Sequence, residues 1–236
     1  MGHPPARIVL VTGASKGVGA QVARRLAGAD THVIVNYRKN SHRAQALATA
    51  IRDAGGHAST WAADITDEAE TTAMIRSIAA RFGRLDTMIL NASSGLELDS
   101  NPSDAMRVNR DAQRRLALLA LPLMPAGGRI VFVTSHQAHF FPHKAVPKGY
   151  AGAAASQRAG ETALYALRSE FARAGIRFTV VCGQMVSDNM GNATTPVGLP
   201  QRRQSVRFAA AIADSANMPG TSGVVYVGGA DHLMPA

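Results

Sequence analysis

Three stretches of the 236-residue sequence carry residue types at spacings that could do chemistry. The first is Thr12-Gly13-Ala14-Ser15-Lys16-Gly17-Val18-Gly19. Gly13 permits a tight turn, while Gly17 and Gly19 let backbone approach a pyrophosphate at a helix amino terminus. Ser15 and Val18 belong to the same cradle, and Lys16 adds a cation. The second stretch is Asn36-Tyr37-Arg38-Lys39, two cations with no carboxylate. An acid there would bind adenosine ribose hydroxyls and repel a 2′-phosphate. Arg38 can instead clamp that phosphate through its planar fork, with Lys16 as a point charge. The pairing predicts NADPH over NADH. The third stretch runs from His136 to Tyr150, where His136, His139 and His143 could supply a proton near neutral pH. Loop histidines are more often surface or packing residues, and no pair has the helical spacing of a metal site, so no metal is expected.

The elements that would position these groups alternate along the chain. Strand-like apolar runs lie near 7–12, 31–37, 57–62, 86–90, 129–134, 176–182 and 223–227. Amphipathic segments lie near 17–28, 41–54, 67–82, 102–120, 153–174 and 201–214. This alternation predicts a single α/β domain of Rossmann type, a doubly wound parallel sheet of about seven strands covered on both faces. The glycine cradle then sits between the first strand and first helix, the context that gives such a motif its meaning. Asp64-Ile65 follows the third strand, where the carboxylate could accept from an adenine amino group or cap the helix beginning near Asp67. Asn91-Ala92-Ser93 closes the fourth strand, where small residues let backbone pass close to a dinucleotide. The loops at 136–150 and 183–200 both emerge at the carboxyl edge of the sheet, where open α/β folds bind ligands. They supply Phe140, Phe141, Met185, Met190 and Leu199, a broad apolar surface for a substrate or, alternatively, an oligomer contact. Lys144 and Lys148 are expected to be solvated.

Composition narrows the class. Hydrophobic residues are 46% and charged residues 17%, which marks a globular chain. The single cysteine, Cys182, excludes an internal disulfide or a cysteine zinc site. The net charge of +9 is spread over helical patterns such as Arg24-Arg25, Arg43, Arg52 and Arg76, so it reads as solvated faces and attraction for an anionic cofactor, not nucleic acid. The apolar run at the start is too short for a signal peptide, and Leu116 to Met124 is broken by Pro122 and too short to cross a membrane. A cytoplasmic homo-oligomer is expected.

Taken together these residues resemble the short-chain dehydrogenase/reductase family from Arg7 to about Gly229. Thr12 to Gly19 is similar to its TGxxxGxG, Asp64 to its adenine-contacting acid, and Asn91-Ala92 to half of its NNAG. The resemblance implies that Asn109 is the helix asparagine and Ser135 the serine of the catalytic tetrad. It also places Gly183, followed by Met185 and Val186, against the nicotinamide, with Cys182 where the family has proline. Ser93, His136, Phe140, Tyr150, Met185 and Met190 are the residues expected to meet substrate.

The departure is in YxxxK. Counting back from Glu170 and Gly175-Ile176 puts the family's tyrosine on Ala153 and its lysine on Gln157. Anchoring on Tyr150 instead puts Ala154 in the lysine position and leaves three extra residues before Glu170. Neither register restores the pair. Ala153 has no proton to give; Gln157 can bind ribose hydroxyls but brings no charge to lower a phenol's pKa. Tyr150 is either a displaced acid or an aromatic wall. One reading is a reductase of aromatic polyketides, similar to angucyclinone ketoreductases of antibiotic pathways, whose substrate supplies its own proton. The alternative is a non-catalytic NADPH-binding sensor or scaffold, which leaves the retained Ser135 and Asn109 without a reason.

Overall fold

Short, β-branched-rich apolar runs such as Ile8-Val9-Leu10-Val11 read as strands buried on both faces, and the computed structural model has them so. It describes residues 6–94, 101–146, 148–184, 201–218 and 222–228. Seven parallel strands, β1 (Arg7–Val11), β2 (Thr31–Tyr37), β3 (His57–Ala62), β4 (Thr87–Leu90), β5 (Arg129–Ser135), β6 (Arg177–Gly183) and β7 (Gly223–Val227), lie in the order β3-β2-β1-β4-β5-β6-β7. The chain reverses direction across the sheet between β1 and β4. That switch point opens a crevice at the carboxyl ends of these strands, where such folds bind ligands.

Alternate residues of each strand feed two cores. Ile8, Leu10, Met88, Ile130, Phe132 and Val180 face α3 (Glu68–Phe82), α5 (Gln113–Ala120) and α7 (Ala151–Tyr165). Val9, Val11, Val33, Val35, Val131 and Val181 face α1 (Gly17–Leu26), α2 (Ser41–Asp53) and α9 (Gln201–Asn217). The Asp67 side chain accepts from the Glu70 amide and starts α3, and Gly83 ends it in the left-handed conformation at φ 68°.

Two expected helices are each broken. The segment expected at 102–120 is α4 (Pro102–Met106), a π-helical stretch over Arg107–Ala112, and α5. The cause is tertiary: the π stretch pushes the Asn109 carbonyl towards α7, where only the missing side chain of Gly160 makes room. A Cβ there would lie 1.9 Å from that oxygen. The segment expected at 153–174 is α7 followed by α8 (Arg168–Arg173), and the turn between them brings Leu167 and Phe171 onto the sheet. The loop after β5 begins with a single turn, α6 (His136–His139).

Candidate active site

At the switch point the ends of β1, β2 and β4 are tied together. The Thr12 hydroxyl accepts the Asn91 and Ala92 amides, each at 3.0 Å, and donates to the Ile89 carbonyl at 3.2 Å. Asn91 Nδ2 donates to the carbonyls of Thr12 and Gly13 at 2.9 and 3.3 Å. Asn36 Oδ1 accepts the Gly13 amide, and Asn36 Nδ2 donates to the Ala63 carbonyl at 3.1 Å. Gly13 has φ +62°, and a Cβ there would lie 2.9 Å from the Ala92 Cα, so the turn admits only glycine. Lys16 stands at the amino cap of α1 without capping it through its side chain, and no acid lies in the first turn. The amino end of this ten-residue helix thus carries neither a side-chain cap nor an acid, an arrangement compatible with an anion.

One end of the crevice lies at the carboxyl ends of β2 and β3. Arg38 faces Asp64 at 3.6 Å, and the guanidinium side chain stays 58% exposed. The Asp64 carboxylate accepts the amide and hydroxyl of Thr66 at 2.9 and 2.8 Å, while Asp67 is the cap of α3, which removes the capping role considered for Asp64. Burial alone would raise the Asp64 carboxyl, but the Thr66 hydrogen bonds and then Arg38 outweigh it and hold the pKa below the usual carboxylate value. Ile65 is buried, and Arg115 fixes its carbonyl at 2.9 Å, a contact the sequence did not announce.

At the opposite end Ser135, Gln157, Ser93 and Asn109 come together. Ser135 Oγ donates to Gln157 Oε1 at 3.3 Å and accepts the Ala138 amide at 3.2 Å, capping α6. Gln157 Nε2 donates to Ser93 Oγ at 2.9 Å. Asn109 Nδ2 donates to the Ser94 carbonyl and to Ser156 Oγ at 2.8 and 2.9 Å, and its Oδ1 accepts the Ser94 amide at 3.1 Å. Ser156, which sequence reasoning missed, is thereby the link between α7 and the π stretch. Ala153 is buried on α7, and Tyr150 is half-buried at the start of that helix. Gly183 pairs in register with Ser135, and its missing Cβ admits the Phe208 ring, which a methyl would meet at 2.8 Å.

The histidines divide. His136 is buried, His143 is exposed, and His139 Nδ1 lies 2.9 Å from the fully buried Glu161, which also holds Arg158 at 2.8 Å. His139 Nε2 meets the Tyr226 hydroxyl at 3.1 Å, and Phe140 lies nearly parallel to Tyr226 with ring centroids 6.0 Å apart. This network anchors α6, and Glu161 could have been noticed as a lone acid on an apolar helix face. Lys144 is not simply solvated, since its ammonium lies 5.0 Å from the Phe140 ring centre. Burial, and secondarily Glu161, pushes the Cys182 thiol up to about 12, so it is inert as a nucleophile. Met185, Val186, Met190 and Leu199 lie outside the described residues. Among the described residues no cluster suits a metal ion, and no helix is long and apolar enough to cross a membrane.

The family model for short chain dehydrogenase matches residues 7–196. A hydroxynaphthalene reductase of Aspergillus fumigatus is 30% identical over 192 residues, covering 78% of this chain and 68% of that protein. Among solved structures, a short-chain dehydrogenase from Burkholderia cenocepacia in complex with NADP is 28% identical, with a TM-score of 0.81 over 96% of this chain and 98% of that one. Landomycin C-6 ketoreductase, solved with bound NADP and rabelomycin, shares the fold at a TM-score of 0.80 and 24% identity, over 98% of this chain and all of that one.

Proposed function

The chain belongs to the short-chain dehydrogenase family, a family of oxidoreductases, and we propose that it is an NADPH-dependent ketoreductase whose substrate supplies the proton. The substrate class is a polycyclic aromatic ketone with a hydroxyl beside the carbonyl, of the angucyclinone type made in antibiotic pathways. The observation that carries this reading is the bonded line Ser93–Gln157–Ser135 at the catalytic end, set beside a nucleotide crevice that keeps its donors.

The crevice fits NADPH by its own chemistry. The leading amides of α1 suit the pyrophosphate, Arg38 and Lys16 the 2′-phosphate, and Asp64 with Ile65 the adenine. Asn91, Ala92 and Gly183 would line the path to the nicotinamide, while the Gln157 amide, expected at the ribose, is engaged by Ser135 and Ser93 instead. When bound, NADPH supplies the hydride. The complex of the Burkholderia cenocepacia relative with NADP supports this choice.

Buried Ala153 offers no proton, and the Gln157 amide brings no charge. General acid catalysis is worth about 10²–10⁴-fold, and the site must recover that factor elsewhere. A ketone beside a phenol carries an internal O–H···O=C hydrogen bond, so the oxygen that gains charge is already paired with a proton. The protein then has to hold the ketone close and exclude water, for which Phe140 and His136 form part of the wall. The hydroxynaphthalene reductase relative supports an aromatic substrate of this kind.

The test compares a hydroxyaryl ketone with its methyl ether in single-turnover NADPH oxidation at saturating substrate. We expect the ether to react about 10²–10⁴-fold more slowly, with Tyr150→Phe close to wild type. Equal rates for the two ketones, with a collapse in Tyr150→Phe, would show a displaced tyrosine acid instead.

A further inference from the structure

The family resemblance makes Ser135 the donor to the substrate oxygen, but here its proton is engaged. A serine hydroxyl has one proton to give. That of Ser135 goes to Gln157 Oε1 at 3.3 Å, while its oxygen accepts the Ala138 amide at 3.2 Å. The other end of the same amide donates to Ser93 Oγ at 2.9 Å. Ser93 therefore accepts towards Gln157, and among the described residues no hydrogen bond takes its own proton. Its side chain is exposed, three residues beyond the end of β4 at the switch point of the sheet. Accepting the amide N–H also strengthens the remaining O–H as a donor.

The surrounding contacts hold this arrangement from both sides. Asn109 clamps the Ser94 backbone through amide and carbonyl, which fixes the residue next to Ser93. The same side chain bonds Ser156, the residue next to Gln157. Gly160, one turn further along α7, lets the helix close against the Asn109 carbonyl. The fold thus sets the distance between Ser93 and Gln157 through a single asparagine.

We propose that Ser93 is the catalytic hydroxyl that donates a hydrogen bond to the substrate's carbonyl oxygen, and that Gln157 is the positioning residue that assigns it this role by engaging Ser135. The inference rests on the ketoreductase reading. Ser93 transfers no proton. As carbon gains the hydride, the C=O π bond becomes a lone pair on oxygen, which Ser93 stabilises and the neighbouring substrate hydroxyl protonates. The phenolate left behind recovers its proton from water. Gln157 acts only through the two serines, and Asn109 only through Ser94 and Ser156.

The experiment uses a hydroxytetralone with its hydroxyl beside the ketone, labelled at the carbonyl carbon. Single-turnover NADPH oxidation is measured for the full chain and for Ser93→Ala, Ser135→Ala, Ser93→Thr and Gln157→Glu, with thermal melts as folding controls. Loss of one preorganised donor to a developing oxyanion costs about 10²–10³-fold, so Ser93→Ala should fall by about that factor. Ser93→Thr should restore much of the rate, and Ser135→Ala should lose clearly less than Ser93→Ala. The introduced carboxylate of Gln157→Glu accepts from both serines when ionised. Its rate should fall as pH rises through the titration of that group, while wild type shows no such step. Infrared spectra of the labelled ketone bound with NADP⁺ give a readout without turnover: the carbonyl stretch should move to higher frequency in Ser93→Ala and stay put in Ser135→Ala. A collapse in Ser135→Ala with Ser93→Ala intact would mean that the Gln157 amide points the other way, and it overturns this inference alone. Failure of wild type to bind or reduce the ketone overturns the ketoreductase reading and this inference with it.

Discussion

Replacing Arg38 by alanine separates a cofactor role from a structural one, because the two roles predict effects of different size on different observables. The guanidinium is 3.6 Å from Asp64, too long for a good charge-assisted hydrogen bond, and its side chain is 58% exposed. An exposed pair of this kind contributes about 0–1 kcal/mol to folding, so Arg38→Ala should leave the thermal midpoint nearly unchanged. A charged hydrogen bond to a 2′-phosphate is worth about 1.5–3 kcal/mol, which is about ten- to a hundred-and-fifty-fold in affinity. Removing Arg38 also leaves Asp64 as an uncompensated carboxylate facing that phosphate, which pushes the loss towards the upper end. NADH has no phosphate there and should lose little or even gain. Calorimetric titration of both cofactors into wild type and variant measures the change in the NADPH/NADH ratio directly. An unchanged ratio, or a variant that loses stability without losing NADPH selectivity, would refute the assignment of the β2–β3 edge to the phosphate.

Three further outcomes follow from particular contacts. Gln157→Lys should not raise turnover, because Ala153 still provides no phenol and the ammonium has two serines but no carboxylate beside it; a large gain in single-turnover rate would show that charge near the ribose was limiting. Gly160→Ala should lower the urea midpoint by an amount equivalent to about 2 kcal/mol or more, against the gain of about 1 kcal/mol that the exchange gives in an open helix, since the new methyl would sit 1.9 Å from the Asn109 oxygen. His32 is depressed from 6.5 to about 4 by burial, with Arg81 and His57 adding, so the unfolded chain binds the extra proton between these values. Stability should therefore be complete above about pH 6.5 and fall as pH drops towards 4. The full shift corresponds to about 3 kcal/mol for this buried side chain on β2, and denaturant midpoints of His32→Gln across this range should lose that part of the slope.

The sheet was legible because parallel strands buried on both faces are written as unbroken apolar runs, and Ile8-Val9-Leu10-Val11 or Thr87-Met88-Ile89-Leu90 admit little else. The glycine cradle was legible because Gly13 and its neighbours act locally, through turn geometry that the spacing itself encodes. The interruption at Arg107–Ala112 was not, since the helical period continues through it. Its contacts are distant in sequence: Asn109 pairs with Ser94 and Ser156, fifteen and forty-seven residues away, and its carbonyl packs against Gly160. Likewise Gln157 was readable as the occupant of a lysine position, but the role of its amide depends on Ser93, sixty-four residues away. Local pattern carries backbone geometry; it does not carry which long-range polar groups share a hydrogen bond.

That distinction bears on what the missing tyrosine and lysine mean. A buried amide at position 157 costs stability unless both of its ends are hydrogen-bonded. Here each end of the Gln157 amide has a partner of the right polarity, and Asn109 uses both ends of its own side chain to keep those partners in place. A hydrophobic residue at 157 would satisfy a scaffold equally well and would leave both serines to solvent. The discriminating substitution is therefore Gln157→Leu. In a non-catalytic binder it should be neutral or stabilising and leave NADPH affinity intact. In the ketoreductase it should leave folding and NADPH affinity equally intact, yet lower single-turnover reduction of the hydroxyaryl ketone, because Ser93 would no longer be fixed towards the substrate. A Gln157→Leu enzyme that binds NADPH and reduces the ketone at the wild-type rate would remove the polar line from the mechanism.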